Sequence, residues 1–170
     1  MPARGDVRRR ILVIANETAA SAEVAAEVRW RARGGTAEIL VVAPLTAPLA
    51  SDRASTLKPE ARLAEAKVRL GAALSALAGA GLNARGELGD ADPMRALDQV
   101  VWQFRPDELI IATHPPDRSQ WLKGNLVQRA RERYQLPTTH VVADLDRERW
   151  ESEGGAVPPP RISNDPPPEA

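Results

Sequence analysis

Residues 107–125 read DELIIATHPPDRSQWLKGN. Leu109, Ile110 and Ile111 form a short apolar run of the kind that fills a parallel strand buried on both faces. Ala112-Thr113-His114-Pro115-Pro116 ends that run abruptly, because two successive prolines carry no amide for a ladder. Ser119 then precedes an amphipathic segment, Trp121, Leu122, Leu126, Val127, Ala130 and Tyr134, and reads as its N-cap. The unit is therefore strand, polar loop, helix start. In open α/β sheets, ligands settle beyond the carboxyl ends of the strands, where free helix amides and the helix dipole favour anions. This stretch is the first candidate for a binding loop.

Moving outward, the same alternation recurs. Ile11-Leu12-Val13-Ile14-Ala15 is a strand that exits at Asn16-Glu17-Thr18, and a helix over 20–33 follows, closed by Gly34-Gly35. Residues 38–43 form a second strand stopped by Pro44. The stretch 45–56 has no period and is long enough to fold over a ligand. Pro59 opens a long helix carrying Leu63, Leu70, Leu74 and Leu77, and 82–88 is a weaker strand. Asp92 as N-cap with Pro93 at the first helical position starts the clearest helix, with Leu97, Val100, Val101 and Phe104 at i, i+3, i+4, i+7. A last strand, 138–143, opens on Thr138 and ends on Ala143. Strands alternating with helices imply a parallel sheet with right-handed crossovers, hence a doubly wound five-stranded α/β fold. Residues 1–9 are expected to be a flexible lead, 10–144 the domain, and 145–170 a disordered tail, since the latter holds two Pro-Pro-Pro runs and little apolar periodicity.

Composition narrows the function classes. Lys+Arg and Asp+Glu number 23 each, so no global field draws the chain to nucleic acid or to an anionic membrane. There is no Cys, which excludes disulfides, thiolate nucleophiles and zinc-thiolate sites, and fits a reducing, cytoplasmic setting. The apolar run after the basic N-terminus is too short for a signal sequence or a membrane span.

The segments ILVIANET (11–18), GDADPMRAL (89–97) and IIATHPPDRSQWLKGNLVQRARERYQLPTTHVV (110–142), in this order, resemble the universal stress protein family. The resemblance implies a Rossmann-like sheet of order 3-2-1-4-5 with helices on both faces, binding of ATP or AMP, and a homodimer built through the last strand. It places strands one and four side by side, so that Asn16 faces Thr113 and His114 across a crevice, with Val42 at the base end. ATP-binding members end strand one with Asp, where this chain has Asn16, and carry a glycine, two residues, a glycine, nine residues, then Gly-Ser or Gly-Thr. Here Gly124-Asn125 keeps the last glycine, but Ile111 and His114 stand at the earlier two. A one-residue slide gives Ala112 and Pro115. Phosphates would then rely on Arg118, Ser119, Lys123, Gly124 and Asn125 instead of on glycine amides.

Other residues read more simply. His114 as a catalytic base lacks the paired histidines of nucleotidyl transferases of similar fold, and no nucleophile and base are assembled, so no enzyme is expected. His140 reads as an interior or interface histidine, and two His with scattered carboxylates give no metal spacing. Asp90 and Asp92 are turn and cap residues. Arg29, Arg31 and Arg33 alternate along a helix and so share no face for nucleic acid. Two readings stand: an adenine-nucleotide sensor linked to stress, or a dimeric interaction module of the same fold that has lost nucleotide binding.

Overall fold

The computed structural model describes residues 8–45, 58–152 and 154. Five strands, β1 Arg9–Ile14, β2 Ala37–Pro44, β3 Ala84–Gly89, β4 Glu108–Thr113 and β5 Thr138–Val142, form one parallel sheet of order β3-β2-β1-β4-β5. The Rossmann-like architecture and the strand order are those the resemblance implies. Every position of β4 is buried, as its unbroken apolar run requires of a strand covered on both sides. At the sheet edge, β3 instead alternates, pointing Arg85 and Glu87 outward.

Six helices cover the sheet: α1 Ala22–Ala32, α2 Pro59–Gly79, α3 Pro93–Phe104, α4 Gln120–Lys123, α5 Leu126–Tyr134 and α6 Leu145–Ser152. Because strand side chains alternate, β1 feeds two cores. Ile11 and Val13 join Val24 and Val28 of α1 and Ala73 and Leu77 of α2. Leu12 and Ile14 join Leu97 and Val100 of α3 and Leu126 and Ala130 of α5. Each of these large side chains is worth ~2–5 kcal/mol against truncation to Ala. Asp92 caps α3 as its sequence indicates, its Oδ1 accepting from the amides of Met94 (2.8 Å) and Arg95 (3.2 Å).

Four expectations change. The chain is already structured at Arg9, whose amide donates to the Thr36 carbonyl (3.0 Å) and whose Nε lies 2.7 Å from buried Glu108. The first helix is preceded by a 3-10 turn, Glu17–Ala20, and starts only after Ser21, whose Oγ accepts from Val24 N at 3.2 Å. The single helix expected from Trp121 to Tyr134 is two, because Asn125 takes a left-handed conformation (φ 55°) between α4 and α5. Finally, the expected disorder from residue 145 gives way to α6. Its side chains lack apolar periodicity, so pattern reading misses it, and it is held by charges supplied from elsewhere in the chain. Residues 1–7 of the expected lead, the 46–56 part of the expected ligand-covering loop, and residues 57, 153 and 155–170 lie outside the described residues.

Candidate functional site

After β1 the chain turns to the face covered by α1 and α2, and after β4 it turns to the opposite face, covered by α3 and α5. Adjacent strands whose connections leave in opposite directions open a crevice at their carboxyl ends, the usual ligand position in doubly wound sheets. Ile14 pairs with Ile111 in register, so the two exits stand at one level.

Asn16 begins the exit of β1, its carbonyl accepting from Ala19 N (3.2 Å) to start the 3-10 turn. Beside it, Glu17 reaches across: its Oε2 is 3.1 Å from Nε2 of His114, in the loop after β4. Thr113 Oγ1 donates to the His114 carbonyl (2.9 Å), which leaves its lone pair to accept from Nε2–H of His140 on β5 (2.7 Å). Burial, with a smaller push from the cation of Arg131, lowers the His140 pKa and keeps the ring neutral near pH 7.

The proline loop is tight. The carbonyl of Pro115 accepts from the amides of both Arg118 (2.9 Å) and Ser119 (3.0 Å). Ser119 is buried, and its Oγ accepts from Leu122 N (3.2 Å), so it caps α4 as expected of an N-cap. Arg118 is engaged at both ends of its fork: NH2 donates to Asp144 Oδ1 at 2.9 Å and NH1 donates to Asp146. The hydrogen bond that Arg118 donates to Asp144 is the chief reason its pKa is raised. For Asp144, burial opposes ionisation, but hydrogen bonds from Arg118 and the Arg147 amide outweigh it and hold the carboxyl below its usual range.

The other expected site residues divide. Val42 is wholly buried in the α3-side core, and its carbonyl accepts from Ala15 N (3.2 Å). Gly124 and Asn125 form the break between the two helices, with Asn125 O accepting from Arg129 N at 3.0 Å. Lys123 closes α4, and its side chain lies outside the described residues. The structure thus brings Asn16, Thr113 and His114 to one crevice and Arg118 and Ser119 to its β4 rim. Sequence reasoning missed Glu17, Asp144 and Asp146. The available signal was position alone: each lies within four residues of the carboxyl end of a strand.

Among the described residues, no group of three or more His, Asp or Glu side chains could hold a metal ion, and no helix is long and apolar enough to cross a membrane.

No family model matches the sequence, and no curated protein matches it. Solved structures do. A universal stress protein from Archaeoglobus fulgidus superposes with a TM-score of 0.54 at 17% identity, covering 78% of this chain and 93% of that one. A family member from Burkholderia pseudomallei gives 0.54 at 16%, covering 82% and 99%. One from Arabidopsis thaliana, solved with AMP bound, gives 0.50 at 16%, covering 81% and 94%. Its fold is that of the universal stress proteins. In this universal stress protein fold, prolines stand in the loop after β4, and Arg118 is held by two carboxylates.

Proposed function

We propose that this universal stress protein fold binds an adenine nucleotide in the crevice between β1 and β4, as a sensor or regulator without turnover. The observation that carries the reading is the reversal of chain direction at the carboxyl ends of these two adjacent strands, with Asn16, Thr113 and His114 gathered at the opening. Neighbours of the same fold were solved with AMP, dAMP and cAMP. Their ligands supply the chemical class to test. Asn16 would meet base or ribose, and Arg118 the phosphates, since a guanidinium matches phosphate oxygens as well as it matches carboxylate. A non-catalytic role fits hydroxyls already committed to structure, Thr113 to His114 and His140, Ser119 to the Leu122 amide.

Titration calorimetry at fixed salt tests this. Arg118→Ala should weaken ATP about tenfold, the scale of one charge-assisted contact, and leave adenosine within twofold. Asn16→Asp should tighten both ligands, because a carboxylate accepts more strongly from ribose hydroxyls than an amide does. A wild-type protein that gives neither heat nor a thermal shift with millimolar ATP, ADP, AMP or adenosine would remove the reading.

The exposed edge supports a second reading, a dimeric interaction module. β5 is last in the sheet, Val142 on it is 43% exposed, and the neighbouring groove against α1 is lined by Trp30, Val141 and Val142. An unpaired strand edge with apolar side chains is commonly covered by a partner. Light scattering at micromolar concentration should give twice the chain mass; a monomer there would exclude it.

A further inference from the structure

The helix α6 is tethered to the chain that follows β1 and to the chain that follows β4, on either side of the candidate crevice. At its start, Asp144 and Asp146 grip Arg118, in the loop that follows β4. One turn further, Glu148 Oε1 accepts from the amide of Ala22, 2.8 Å away, the first residue of α1 and part of the chain that follows β1.

Its fastening is polar. The side chains described in α6, from Leu145 to Arg149, are half-buried or exposed and none of them is buried. Asp146 is 74% exposed and Asp144 41%, and ion pairs at such exposure are weak because solvent screens them. The far anchor carries its own tension. Burial, and then a hydrogen bond with the neighbouring carboxyl of Glu23, raise the pKa of Glu148. A contact made of carboxylates on a guanidinium uses the same donors that a phosphate would take, and the phosphate brings more charge. The prolines make the competition sharper, because Pro115 and Pro116 have no N–H to offer the phosphate.

We propose that α6 is a displaceable strap over the β1/β4 crevice, released when a phosphate-bearing ligand takes Arg118 from Asp144 and Asp146. This rests on the nucleotide reading above and adds its regulation: the chain carries a built-in competitor for its own phosphate position. Adenosine, lacking phosphate, would enter without lifting the strap.

The test uses the full chain with two substitutions, Asp144→Asn and Asp146→Asn. An Asn at 144 keeps the side-chain oxygen that accepts from Arg147 N, so the start of α6 is retained. Calorimetry should show ATP binding about tenfold tighter than in wild type and adenosine unchanged within twofold. Amide hydrogen exchange of 145–152 in the wild type should speed up on adding ATP and not on adding adenosine. Asp117→Asn, which removes an exposed charge 4.0 Å from Arg118 Nε without touching the strap, should change ATP affinity less than twofold. If the double variant fails to fold, Asp146→Asn alone should give about a threefold gain.

Wild-type binding of ATP with unchanged exchange in 145–152 and no gain in the variants would overturn the strap and leave nucleotide binding standing. An equal gain for ATP and adenosine, or the same gain from Asp117→Asn, would likewise overturn it, as a general loosening or a general charge effect. Absence of any adenine ligand from wild type and variants alike would overturn both.

Discussion

At the scale of single residues, His140 does the hydrogen-bonding work that its place inside the last strand suggests. His140 is not idle at the edge: its Nε2–H is fixed by Thr113, which in turn is oriented by the His114 carbonyl, so the end of β4 is tied to β5 by side chains as well as by the ladder. Its lowered pKa sets a sign. Between that value and the ordinary 6.5 the unfolded chain binds the proton and the folded one does not, so stability is lost as pH falls below about 6.5. Melting curves at pH 7.5 and 5.0 should show a larger drop for the wild type than for His140→Gln, which keeps a donor for Thr113 but does not titrate. Equal drops would mean that the ring titrates alike in both states. Asn16, Thr113 and His114 could be picked out from sequence because they stand at the carboxyl ends of β1 and β4, which the resemblance makes neighbours. Their partners could not. The pairing of Glu17 with His114 joins positions 97 residues apart, and it is visible only once β1 and β4 are neighbours.

Among the elements, strands made of β-branched runs and the Asp92-Pro93 start were readable because their determinants are local. The end of α4 was not. Leu122, Leu126, Val127 and Ala130 keep helical spacing straight through the break at Gly124-Asn125, so apolar periodicity alone joins the two helices. Nor was α6, whose anchor to Ala22 lies 126 residues away. Two joints between elements make local predictions. Gly89 ends β3 where α3 begins, and a Cβ there would lie 2.6 Å from the Cβ of Ala96 and 3.1 Å from Cγ1 of Val42. Because helix backbone stands behind one of those contacts, Gly89→Ala should destabilise the fold by ~1–3 kcal/mol in urea unfolding. Ser21 is buried at the cap of α1, and Ser21→Ala should lose about 1 kcal/mol in the same assay. A neutral outcome at either position would show that the joint relaxes.

For the whole molecule, the C-terminal boundary moves from 144 to 152, and truncation measures the difference. A chain stopped after residue 152 should melt within a degree or two of the full protein, since the sequence beyond it is too poor in apolar residues to bury much surface. One stopped after 143 should melt several degrees lower, having lost the partners of Arg118 and the cap on α1. Equal melting of the two would return the boundary to 144. The central place of β1 has a further consequence, for synthesis on the ribosome. β1 is the first strand made, yet one of its two neighbours is β4, and Arg10 meets Asp107 across a gap of 97 residues. At roughly 5–20 residues per second, the strand waits about 5–20 s with one side unpaired. During that interval Ile11, Leu12, Val13 and Ile14, the most buried run in the finished protein, form the nascent chain's most adhesive edge. Trigger-type chaperones that shield apolar segments at the exit tunnel should therefore matter more for the yield of this protein than its final stability would suggest.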